Sequence, residues 1–331
     1  MKSRTPQHDR PTDTTSAQDR IPLTAAQRGI WYAQQLDETN PTYQIGQYLD
    51  LRGRVEPVLM RVAVTKIVAD LGAVHLRMRD DGDGPYAVAM PPAATDDLLE
   101  VVDLRGTDAD AAFAQARERM DVEMATPRDL TGDALFGAIL FRLDGDRSLF
   151  FQRVHHILLD GYGAVVALRY LAGVYTRLAR FTPNGRVLDL VDGVVARVAA
   201  RIPSPLPSLA DLQASLDAYE ASDQHAVDEA YWTEALADDA VVEGLEGSAD
   251  GVATRVVRVS VPLEGDLVER LAGLGRDLPK TVVGVIALYM AKVTGEARVS
   301  LGLPVTARRG AVAKTTPSML SSILPLRVDV D

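Results

Sequence analysis

The sequence predicts a mixed α/β protein of two lobes, and three observations predict it. Strand-like alternation and helix-like apolar spacing succeed one another along most of the chain. At 331 residues the chain exceeds what one small core needs and suits two domains of ordinary size. The run Arg201 to Pro207, RIPSPLP, carries enough proline to mark a boundary between the two halves. The reading assigns residues 1–20 to a disordered leader, 21–180 to a first lobe, 181–207 to a linker region and 208–331 to a second lobe.

Each element has a local reason. The leader MKSRTPQHDRPTDTTSAQDR is polar and lacks the apolar stretch of a signal peptide. Thr24 is placed to cap a helix over AAQRGIWYAQQL, with Ile30, Trp31 and Leu36 at helical spacing. A strand over Tyr43 to Leu51 follows, then a helix over Val55 to Leu71. Strands at Val74–Arg79 and Tyr86–Met90 flank DDGDG, whose Asp-Gly pairs suit a hairpin turn. That acidic cluster lacks the spaced ligands and closing Glu of a calcium loop, so it is read as a turn. Leu98–Leu104 reads as a strand, Asp108–Met124 as a helix, and Leu135–Leu143 with Leu149–His155 as paired strands around Asp144-Gly145-Asp146. A helix over Gly163–Leu178 closes the first lobe. The second lobe reads as two helices within Leu209–Leu236, a strand at Ala253–Val261, helices at Leu263–Leu274 and Thr281–Val293, a strand at Val299–Pro304 and a strand-like ILPLRVDVD end.

Composition narrows the function. The chain is 47% hydrophobic and 24% charged, and no run approaches the roughly 18 apolar residues of a membrane span, so no membrane partner is expected. A net charge of −11 argues against nucleic acid, whose binding needs a basic footprint. The absence of cysteine removes disulfides, thiolate metal sites and a thiol nucleophile, and agrees with a cytoplasmic setting.

The motif RVHHILLDGYG, Arg153 to Gly163, sits where a strand leaves its sheet and a helix begins. Successive strand residues face opposite ways, so His155 and His156 have different jobs. His155 is read as a core histidine, hydrogen-bonded within the fold. His156, beside Asp160 and two glycines in an apolar segment, is the candidate for chemistry. With no Glu, Cys or third His nearby, the pair is not read as a metal site.

HHILLDG resembles the HHxxxDG signature of the condensation domains of nonribosomal peptide synthetases, shared more loosely with chloramphenicol-acetyltransferase-like acyltransferases. LTAAQRGIWYAQQL, Leu23 to Leu36, looks like the family's first motif. HLRMR, His75 to Arg79, is similar to the second, without its acidic residue and terminal Phe. LGLPVTARR and SMLSSILPLR resemble late segments, with Ser322 where the family usually carries Asn.

The resemblance implies a fold of two chloramphenicol-acetyltransferase-like lobes in a V with a tunnel between them, the C-terminal lobe shortened relative to the family. It implies amide formation from a donor acyl, peptidyl or aryl thioester and an aminoacyl acceptor. Donor and acceptor carrier proteins bring both on phosphopantetheine arms, an adenylation domain of the same assembly line is a further partner, and the chain needs no cofactor of its own. By the same resemblance His156 serves the reacting amine, the Gly161 N–H faces the developing oxyanion, and Asp160 pairs with Arg77 to shape the loop. Ser321 and Ser322 fall where the family floors its tunnel. Gln27, Arg28 and Trp31 are read as packing and hydrogen bonding. The intact His155 and Asp160 argue against a cyclising subtype, whereas epimerising members keep the motif. The leader, which starts at Met1 with no carrier domain before it, and PSMLSSILPLR look like siderophore synthetases that receive an aryl acid from a separate carrier. The rivals are a related acyltransferase using a carrier or coenzyme A thioester, and a catalytically silent docking domain.

Overall fold

A computed structural model describes residues 20–91, 98–180, 197–237, 259–273 and 277–330. The leader, most of the expected linker and most of the expected strand at 253–261 lie outside these residues.

The first half is built on a four-stranded sheet. Its strands are β2 (Gln44–Arg52), β5 (Leu99–Asp103), β6 (Phe136–Arg142) and β7 (Arg147–His155), in the order β2-β7-β6-β5. β7 runs antiparallel to both neighbours, and β5 joins β6 in parallel. A smaller sheet has the order β1-β4-β3, from Ile21–Pro22, Pro85–Ala89 and Leu76–Asp80. Gly82 and Gly84, in the β3–β4 turn, hold φ of +98° and +119°, the left-handed region that glycine enters without a Cβ penalty. The acidic run there is a hairpin turn.

Alternation along β7 divides its side chains between two cores. Leu149 and Phe151 join Ile139 and Phe141 against α3 (Ala109–Ala125). Phe150 and Val154 lie in the larger core with α2 (Pro57–Asp70) and α4 (Gly161–Arg180). That larger core also takes Ile30 and Trp31 of α1 (Ala25–Leu36). Thr24 caps α1 in a reciprocal capping box with Gln27.

The second half adds α5 (Leu209–Glu220), α6 (Asp223–Ala235), α7 (Gly265–Gly273) and α8 (Leu278–Thr294), then the antiparallel pair β8 (Arg298–Val305) and β9 (Ser322–Asp329) around the short α9 (Gly310–Thr315). α8 is rich in apolar residues, yet Val285, Ile286, Leu288, Tyr289 and Val293 are exposed. No helix among the described residues is long and apolar enough to cross a membrane.

Candidate active site

β7 ends at His155, and α4 starts at Gly161, so the motif occupies the turn between them. The two histidines part as strand geometry requires. His155 is 2% exposed. Its Nδ1 accepts the Ile157 N–H, and its Nε2 lies 3.3 Å from Gln34 Oε1. Gln34 directs its own amide N–H groups to the carbonyls of Asp37 and Asn40. Its oxygen is therefore the atom that faces the ring, which makes His155 a neutral Nε2–H donor. Burial, then the neighbouring His156 and Arg153, push its pKa down to about 4. His155 is a structural, uncharged residue.

His156 is half-buried, and its Nδ1 lies 3.0 Å from the Leu159 carbonyl. A carbonyl only accepts, so Nδ1 carries a proton, and in the neutral ring Nε2 is the nitrogen with the lone pair. His156 lines a pocket of about 270 Å³ together with Gln47, Gln152, Val154, Gly161 and Ala164. A Cβ added to Gly161 would meet nothing within 4 Å. As the first residue of α4, Gly161 has no intrahelical acceptor for its own N–H.

Asp160 caps α4 and is held from the far end of the sequence. Its Oδ1 accepts the Gly163 N–H at 2.7 Å, and Oδ2 accepts the N–H groups of Leu320 and Ser321 and the Ser321 hydroxyl. Arg308 Nη2 lies 2.8 and 2.9 Å from the two oxygens, and both side chains are 1% exposed. Burial raises the Asp160 pKa, but the Gly163 N–H, Arg308 and the Ser321 N–H outweigh it, so the carboxyl lies below its ordinary range. Arg308 also donates to the carbonyls of Ala313, Thr316 and Ser318, and lies over the Tyr162 ring. The preceding residue, Ala307, has φ +49°, a conformation unfavourable to an L residue with a side chain. Gly163 is sterically favoured: a Cβ there would lie 3.0 Å from the Ser318 N and O atoms, closer than side chains ordinarily pack.

A condensation-domain profile matches residues 17–185, slightly more than half of the chain. The chain belongs to the condensation-domain family. Members of this family in nonribosomal peptide synthetases are amide-bond-forming acyltransferases. The chain is similar to an isonitrile lipopeptide synthase of Streptomyces coeruleorubidus, 34% identical over 98% of this chain and 21% of that protein. A dimodular nonribosomal peptide synthase of Bacillus subtilis is 30% identical over 93% of this chain and 12% of that protein. The chain thus spans about a fifth or less of these two relatives. Among solved structures, the starter condensation domain of rhizomide synthetase in complex with C8-CoA is 29% identical with a TM-score of 0.80, covering 95% of this chain and 67% of that one. The mixed α/β, chloramphenicol-acetyltransferase-like fold expected from the sequence is the one these structures share with it.

Against the condensation-domain motifs, one expectation is corrected. Arg77 does not pair with Asp160. It lies on β3 in the smaller sheet, half-buried, and bonds the Leu76 carbonyl. A carboxylate as buried as Asp160 needs a cation equally buried and already oriented by other acceptors, which Arg308 supplies. The clue was present in LGLPVTARR, but nothing local says which arginine crosses 148 residues to the motif. Ser321 binds the Asp160 carboxylate, and Ser322 opens β9 in an exposed position. Gln27 fastens α1 to the motif by donating to the Ile157 carbonyl, and Thr24 donates to the Met319 carbonyl. Arg28 bonds the Leu23 carbonyl, and Trp31 is core.

Proposed function

We propose that this condensation domain forms an amide bond between an acyl thioester and the α-amine of an aminoacyl thioester, with His156 as the proton acceptor. The observation that carries the reading is the Nδ1–H of His156 committed to the Leu159 carbonyl, which leaves Nε2 basic in a residue that lines the pocket. A free α-amine titrates near pH ~8, so a neutral imidazole takes its proton with little mismatch. The nitrogen attacks the thioester carbon, the new C–N bond forms, and the proton passes to Nε2. Collapse breaks the C–S bond, and the imidazolium returns the proton to the leaving thiolate. The Gly161 N–H at the start of α4 is suited to the developing oxyanion. Carrier proteins bring both thioesters on phosphopantetheine, and the chain contributes no cofactor of its own.

Apolar walls around His156, and the resemblance to a starter domain solved with C8-CoA, favour an aliphatic acyl donor over the aryl acid of siderophore assembly. The same resemblance makes coenzyme A a usable donor handle. The test is the intact mass of an aminoacyl-loaded acceptor carrier after incubation with the chain and a donor loaded with octanoyl or dihydroxybenzoyl. A gain of the octanoyl mass that disappears in His156→Ala supports the reading. A gain of only the aryl mass restores the siderophore assignment, and no gain from verified carriers leaves the docking-domain rival.

A further inference from the structure

The pocket beside His156 has a polar floor that the reaction does not use. Alternation along β7 sets Gln152, Val154 and His156 on one face, toward α4, and β2 adds Ile45 and Gln47 beside them. Gln47 and Gln152 are direct cross-strand partners. Gln152 is 6% exposed and lies on the face that buries Phe150 and Val154 in the apolar core. Among the described residues neither amide has a hydrogen-bond partner, although both residues line the pocket. By contrast, the buried amides of Gln27 and Gln34 are engaged in holding α1 and the motif. Neither amide is among the polar atoms sealed away without a partner, so each is open to the pocket, where water meets it until a hydrogen-bonding group takes that place.

We infer that Gln47 and Gln152 form a seat for a hydrogen-bonding group on the distal part of the donor acyl chain, a hydroxyl or an amide. Gln152 is four residues from His156 on the strand, about 13 Å away at the usual strand rise. A saturated chain held with its thioester carbon at His156 reaches toward this pair with its far end, past Val154 and Ile45. An amide both donates and accepts, so the pair suits a hydroxyl or a second amide and offers nothing to a methyl terminus. The inference deepens the proposed function and rests on it for the identity of the pocket as the donor site.

The experiment compares octanoyl, 8-hydroxyoctanoyl and 10-hydroxydecanoyl thioesters as donors for the chain, Gln152→Leu and Gln47→Leu. The expected result is a higher kcat/KM for at least one hydroxylated donor than for octanoyl. Gln152→Leu then lowers that value about tenfold, through KM, and lowers the octanoyl value by a smaller factor, so that the preference is lost. Equal effects on both kinds of donor, or no wild-type preference, overturn the inference. Calorimetry with unreactive analogues, carrying a methylene between sulfur and carbonyl, separates the seat from the reaction. Gln152-dependent preference for the hydroxylated analogue without any amide product retains the seat and removes the reaction. Binding without preference removes the seat. Thermal melting guards the comparison, since Gln152→Leu places an apolar side chain on an apolar face and is expected to keep or raise the Tm.

Discussion

Arg308→Met is the sharpest test of how the motif is held. The substitution keeps much of the aliphatic bulk and removes the charge, so its first effect is on Asp160. The carboxylate stays 1% exposed and keeps three backbone N–H groups and a hydroxyl, but loses its cation. Breaking a buried pair from one side costs about 3–5 kcal/mol, against a total of about 5–15 kcal/mol for a typical domain. The carbonyls of Ala313, Thr316 and Ser318 lose their donor together, which argues for the upper part of that range. Urea unfolding of Arg308→Met, Asp160→Asn and the double variant measures the coupling directly. The double variant is expected to be less destabilised than the two single losses summed, by about 2 kcal/mol or more. Arg77→Met, the control, is expected to change stability by less than about 1 kcal/mol. A loss below about 1 kcal/mol in Arg308→Met, or additive losses in the cycle, refutes the reasoning.

Other perturbations follow from single contacts. Gly163→Ala drives a Cβ into the Ser318 backbone and is expected to destabilise by about 1–3 kcal/mol by chemical denaturation. A Cβ at Gly161 meets nothing within 4 Å, so Gly161→Ala is expected to keep near-native stability with reduced amide formation, read by melting and by product mass. His155 is held neutral with its pKa near 4 rather than the ordinary 6.5. The unfolded chain therefore binds the proton first as pH falls, and stability declines between about pH 6.5 and 4, at up to about 1.4 kcal/mol per unit. In His155→Gln the decline over that window is expected to flatten, as measured by urea midpoints. Asp160 has the opposite chemistry: its lowered pKa keeps its contribution present above the ordinary 3.8, and that contribution is lost only as pH falls further, through the folded value. Acid unfolding of Asp160→Asn is expected to lack this last, most acidic part of the transition.

Features encoded by neighbours in sequence were legible there, and features encoded by distance were not. The Thr24 cap and the glycines of the β3–β4 turn each act within a few residues, and the elements they bound fall within two or three residues of expectation at most ends. Alternation also parted the two histidines correctly. The pairing of Asp160 was misassigned because a buried carboxylate selects its partner by three-dimensional access, and Arg77 and Arg308 look alike in one dimension. Gln152 escaped notice for a related reason. In RVHHILLDG the eye stops at titratable groups, and a glutamine one residue upstream of Arg153 reads as an ordinary strand residue until α4 covers it. Asking which face it shares with His156 would have found it.

The clasp between Asp160 and the stretch from Arg308 to Ser321 also sets a schedule. During synthesis the sheet and the HHILLDG turn are complete long before the arginine that neutralises the turn exists. Until residue 308 has been made the aspartate has no cation, and until residue 321 three of its other donors are missing. His156 is therefore mounted on a loop that is completed only once residue 321 is in place, and a chain interrupted before that point carries the whole signature in its sequence without the means to hold it in working order.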